Sequence, residues 1–81
     1  MAPTRLQRLN KYYLSVNDIK IILGISFAKA KELFKIAEAQ MLSEYEFIAH
    51  EHKVELWRVL KIAHIDETLL RKQIESEEKG E

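Results

Sequence analysis

Along residues 15–35, SVNDIKIILGISFAKAKELFK, apolar positions recur at helical spacing on both sides of one glycine. Ile19 and Leu23 sit four apart on a first segment, Val16 to Leu23. Ala30, Leu33, Phe34 and Ala37 line one face of a second, which the pattern carries from about Phe27 to Met41 or Leu42. Gly24 is the only glycine before residue 80. A glycine there suits the left-handed backbone just past a helix end, and Ser26 can cap the next helix by accepting a backbone N–H. Ile25 fills the turn between them. Two helices joined by three residues must turn sharply, which predicts a helix-turn-helix. Lys31, Glu32 and Lys35 fall on the face opposite the apolar stripe, with Lys29 at its border. Lys20 stands where such turns usually carry a small residue, and its long stem can snorkel out. An ordinary helical hairpin with solvated lysines fits the same pattern.

The flanks are less regular. Residues 1–10, MAPTRLQRLN, show no clear period, so residues 1–11 are expected to be a flexible basic arm with Arg5 and Arg8 solvated. Lys11 to Leu14 read as a short extended lead-in, with Ser15 and Asn17 both competent to cap the first helix. Residues 43–65 have two readings. As strands, Tyr45 to Ala49 and Val54 to Val59 flank His50-Glu51-His52-Lys53, a polar-tipped hairpin supported by alternation and by β-branched and aromatic content. As helix, Ser43 to Glu46 is a capping-box pattern, and Leu56, Leu60 and Ala63 share a face. No Gly or Pro marks the hairpin turn, yet the hairpin is the expectation. Asp66-Glu67-Thr68 predicts a helix start, with Leu69, Leu70, Gln73 and Ile74 as its stripe and residues 76–81 as a frayed acidic tail.

Eighty-one residues make one domain, with 47% hydrophobic residues for a core and 32% charged ones for solubility. The net charge is zero, but it is polarised. Residues 1–35 hold seven basic residues against two acidic ones, a net of +5, and the remainder carries −5. The basic half contains the helix-turn-helix candidate, and charge so gathered can attract a phosphate backbone. With no cysteine there are no disulfides or thiolate metal sites, which suits a reducing compartment, and a cytoplasmic location is expected. Neither a membrane span nor a secretory signal is expected.

His50-Glu51-His52 is the one cluster of metal-ligand types, and zinc there would need at least one more protein ligand, so a solvated turn is the expectation. No Ser-His-Asp or Cys-His pattern and no glycine-rich phosphate loop is discernible. No enzyme, cofactor or metal is expected.

Tyr13-Leu14-Ser15-Val16 followed by Leu23-Gly24-Ile25-Ser26 resembles the opening of excisionase-like, MerR-type winged helix-turn-helix domains, in which a leading "YLT/S-V" precedes the first helix and "LGIS" or "LGVS" forms the turn. Leu56-Trp57-Arg58-Val59-Leu60-Lys61, then Ile65-Asp66, is similar to that family's "WRI-x-K" strand and the helix after it, so the resemblance covers residues 12–70. It implies a winged helix-turn-helix over residues 12–75, mainly α with a small β-hairpin wing. The second helix would enter the major groove of duplex DNA. By position, Ser26, Phe27, Lys29, Lys31 and Lys35 would be the recognition-helix contacts. Lys53 at the wing tip and Arg58 on the return strand would be phosphate ligands. Phe27 departs from the family's usual polar or basic residue; a thymine-methyl contact, an edge-of-core role and a dimer contact are all open to it. The second helix is longer than usual, the wing turn lacks glycine, and Leu60 replaces a frequent proline.

The implied function is sequence-specific DNA binding by an excisionase-like protein or transcription regulator of a phage or mobile element, acting as a homodimer or cooperative array. The alternative is an all-α helical interaction module, such as a phage-encoded inhibitor or adaptor, with Trp57 as the anchor for a protein partner.

Overall fold

The computed structural model describes residues 4–47 and 52–78. Five helices and two short strands follow in the order α1 (Arg5–Leu9), β1 (Tyr13–Leu14), α2 (Val16–Leu23), α3 (Phe27–Glu44), β2 (Val54–Glu55), α4 (Leu56–Ile62) and α5 (Glu67–Glu78). The described chain is therefore mainly helical, with one small antiparallel sheet.

Local chemistry accounts for the helix ends. Ser15 and Asp18 form a reciprocal capping box at the start of α2: the Ser15 hydroxyl accepts the Asp18 N–H at 3.2 Å, and Asp18 Oδ2 accepts the Ser15 N–H at 3.0 Å. Thr4 and Gln7 do the same for α1. At the other end of α2, Gly24 takes φ 65° and ψ 37° and donates its N–H to the Lys20 carbonyl at 2.9 Å. Ser26 then accepts the Lys29 N–H at 3.2 Å and opens α3. The turn expected from Gly24 and Ser26 is present.

Ile19, Ala30, Phe34 and Ala37 are buried where α2 crosses α3, and Ile22 joins them. The rest of the core comes from Leu9 of α1, Leu14 of β1, Met41 of α3, Val54 of β2, Leu56, Val59 and Leu60 of α4, and Leu70 and Ile74 of α5. Lys20 is exposed, so it does not obstruct the turn.

Several expectations are corrected. Residues 5–9 are not a loose arm. They form α1, because Leu9 is fully buried and Arg8 pairs with Asp18 at 2.5 Å inside the domain. Arg5 donates to the Ile22 carbonyl at 2.6 Å and pairs with Glu77, while the Leu6 N–H is accepted by Glu78 at 2.9 Å. Residues 76–78 of the expected tail are thus the last turn of α5, held against α1.

The expected hairpin of residues 45–59 also gives way. Val54 and Glu55 do form a strand, but their partners are Leu14 and Tyr13. Residues 45–47 are not a strand, and residues 48–51 lie outside the described residues. Residues 56–62 are helix: Leu56, Val59 and Leu60 are buried at the i, i+3, i+4 spacing of α4. Ser43 is inside α3, and the expected cap of the final helix is real, with Asp66 accepting the Leu69 N–H at 3.1 Å. Leu69 itself points outward.

Nothing lies within 4 Å of a Cβ built on Gly24, so Gly24→Ala meets only the backbone penalty of its positive φ. The variant is expected to lose about 1 kcal/mol in urea unfolding, with an unchanged circular dichroism spectrum.

Candidate nucleic-acid interface

The surface of α3 holds most of the residues expected to contact DNA. Ser26, Phe27, Lys29, Lys31 and Lys35 are all exposed, as is Lys53 just before β2. Helical geometry sorts them. At 3.6 residues per turn, Phe27, Ala28, Lys31 and Lys35 share an arc of about 100°, whereas Lys29 lies about 160° round the helix from Lys31. Phe27, Lys31 and Lys35 therefore form one face, and Lys29 stands on the other flank. Phe27 is 55% exposed, which removes it from the core edge. The Ser26 hydroxyl accepts a backbone N–H, so its oxygen is committed to ending the turn.

The basic residues divide by type. All four arginines are engaged within the fold: Arg5 with Glu77, Arg8 with Asp18, Arg71 with Glu67 and Asn10, and Arg58 with several partners. Lys20, Lys29, Lys31, Lys35 and Lys53 make no ion pair with any described residue. The free positive charge of the α2–turn–α3 unit is thus carried by lysines, which act as mobile point charges rather than planar forks.

Arg58 is a correction to the expected interface. It lies on α4, not on a return strand, and is only 2% exposed. Its Nη1 and Nη2 grip both oxygens of Glu44 at 2.8 and 3.1 Å, and its Nε donates to Glu55 Oε1 at 3.0 Å. Nη1 also reaches Gln40 at 3.1 Å, and Nη2 donates to the Tyr45 hydroxyl at 3.2 Å. The guanidinium carbon lies 4.5 Å from the Trp57 ring centroid. With its donors engaged this way, Arg58 ties the end of α3 to β2 and α4, and no donor is turned toward an outside phosphate.

Glu55, which the sequence reading overlooked, is the buried counterpart. Its carboxylate accepts from Tyr12 at 3.0 Å and from Tyr45 at 3.2 Å, and the Trp57 indole donates to the Tyr12 hydroxyl at 3.3 Å. Burial pushes the Glu55 pKa up, but bonds from Arg58, Tyr12 and Tyr45 outweigh it and hold the carboxyl below its ordinary value. Asp18 behaves alike: burial opposes its charge, while the Ser15 backbone, Arg8 and the Ser15 hydroxyl win. The signal in the sequence was a glutamate between Val54 and Leu56 with an arginine three residues on.

His50 and Glu51 lie outside the described residues, and His52 is exposed with φ 63°. Among the described residues no group of three or more His, Cys, Asp or Glu side chains gathers to hold a metal ion, and no helix is long and apolar enough to cross a membrane. Comparison with known proteins gives no matching family model, no matching curated sequence and no matching solved structure.

Removing Arg58 leaves Glu55 buried without its cation, so Arg58→Ala is expected to lose roughly 3–5 kcal/mol in urea unfolding. Acid should act on the same group. Glu55 and Asp18 have lowered pKa values when folded, so their stabilisation is complete above the unfolded values of about 4 and is lost as pH falls through the folded ones. Unfolding midpoints should therefore hold steady from pH 7 to 5 and drop below pH 4. Glu55→Gln should start lower at pH 7 and fall less steeply.

Proposed function

We propose that this protein binds duplex DNA through an excisionase-like helix-turn-helix formed by α2 and α3, with α3 laid in the major groove. The observation that carries this reading is the α2–turn–α3 unit: a sharp turn at Gly24, capped by Ser26, presenting lysines that no described acid neutralises. Lys31 and Lys35 on one flank of α3, Lys29 on the other and Lys20 on α2 would straddle a groove and meet phosphates on its two sides. Lys53 would add a contact from the segment before β2. Affinity then comes chiefly from counterion release, while position along the duplex is set by the α3 face. Such a protein would serve in the cytoplasm as a regulator or architectural factor of a phage or mobile element, working as a dimer or cooperative array to gain specificity.

A second reading has a specific observation behind it. Ile36, Trp57 and Leu42 are exposed apolar side chains, and Ile36 and Trp57 border an open groove between α3 and α4. A protein partner docking there would make the chain an adaptor or inhibitor. Salt separates the two readings, because an apolar interface changes little with ionic strength.

Mobility-shift titrations against random-sequence duplex at two salt concentrations test the first reading. The logarithm of affinity should fall with the logarithm of salt at a slope of about −3 to −5, for three to five neutralised phosphates. Lys31→Glu and Lys35→Glu should each weaken binding and flatten that slope by about one unit or more, with unchanged circular dichroism. Wild-type binding in both variants would remove α3 from the interface.

A further inference from the structure

We infer that Phe27, with Ala28 beside it, reads thymine methyl groups, so that this protein selects duplexes carrying thymine in the major groove opposite α3. The inference rests on the DNA-binding reading above and says what that surface can recognise. Base edges are discriminated by arginine or lysine at guanine, by asparagine or glutamine at adenine, by carboxylates accepting from cytosine, and by apolar contact with the thymine methyl. The first three turns of α3, residues 27–37, contain no Arg, Asn or Gln. All four arginines of the chain are engaged within the fold. Gln40 is tied to Arg58, and the Ser26 oxygen is tied to the Lys29 N–H.

The exposed face that remains is Phe27 and Ala28 with Lys31 and Lys35. Its lysines suit phosphates or guanine edges, neither of which involves a methyl group, and its apolar members suit methyl groups. Phe27 is 55% exposed at the start of α3, flanked along its own face by Lys31. A ring more than half exposed there is not part of the core cluster, and docking it over a C5-methyl removes apolar surface from water on both sides. Glu32, between the two flanks of α3, would favour cytosine only where it meets an N4 amino group, and that arc excludes Phe27.

The test compares alternating dA–dT duplex with alternating dA–dU duplex, which differ only in that methyl, and dG–dC duplex with its 5-methylcytosine counterpart. Each methyl group covered is worth about fourfold in affinity, the equivalent of one buried CH2. Wild-type protein should prefer dA–dT over dA–dU by about fourfold or more and gain on cytosine methylation. Phe27→Ala should lose that preference while keeping its salt slope, and Phe27→Leu should keep part of it. Equal, salt-sensitive binding of dA–dT and dA–dU overturns the methyl readout and leaves the DNA reading standing. An undiminished preference in Phe27→Ala overturns the assignment to Phe27. Absence of salt-sensitive binding to all four duplexes overturns the DNA reading and this inference with it.

Discussion

The buried guanidinium of Arg58 is the constraint on which the second half of the fold depends. A cation 2% exposed is tolerable only if its hydrogen-bonding directions are met, and four partners from three places in the chain meet them. Glu44 and Gln40 come from the last turns of α3, Tyr45 from just beyond it, and Glu55 from β2. Through Glu55 the network reaches Tyr12 and Trp57, which places the lead-in to β1 against the start of α4. Much of the tie between α3 and α4 is therefore polar, and it is directional where a purely apolar contact would be free to slide.

A second ion-paired centre does the same for the first half. Asp18 both caps α2 through Ser15 and receives Arg8 from α1, so one carboxylate sets a helix end and the docking of its neighbour. Arg5 closes the circuit by bonding the Ile22 carbonyl and Glu77 of α5. The long helix α3, about 27 Å from end to end, is thus held near its start by α2 and at its finish by the Arg58 cluster. What it shows to solvent at its N-terminal half is consequently well placed in space.

This use of charge explains how a chain with no net charge can still present a basic surface. Arginine suits interior positions, because its fork satisfies several acceptors at once and its charge is not given up on burial. Those acceptors are Asp18 in the first half and Glu44, Glu55, Glu67 and Glu77 in the second. The lysines of α2 and α3 are left without such partners among the described residues. Within the basic half, Arg5, Arg8 and Lys11 are paired, and the lysines of α2 and α3 are the ones left unpaired among the described residues.

The chain alone specified what short-range physics specifies. Gly24 and Ser26 marked the turn, Asp66 the start of the last helix, and the 3.6-residue spacing of Ala30, Phe34 and Ala37 the buried face of α3, because caps and periodicity act within a few residues. Between Ser15 and Asn17 as the cap of α2, the fold chose Ser15. The exposure of Lys31 and Lys35, on the opposite face, followed from the same periodicity, whereas that of Phe27 was left open until the fold placed it. The strand content of residues 54–59 did not follow from it, since β-branched and aromatic content favours a strand, while the burial of Leu56, Val59 and Leu60 at helical spacing overrides that preference. Only the pairing of Val54 and Glu55 with Leu14 and Tyr13, some forty residues away, decides where strand ends and α4 begins. Likewise nothing local distinguishes Arg8 from a solvated arginine, and the spacing of Glu55 and Arg58 by itself does not show that the pair is buried. Asp18 for Arg8, and Gln40, Glu44 and Tyr45 for Arg58, arrive through the tertiary fold, and burial beside Asp18 and Glu55 is what turns two apparent surface cations into the ties that hold the helices in place.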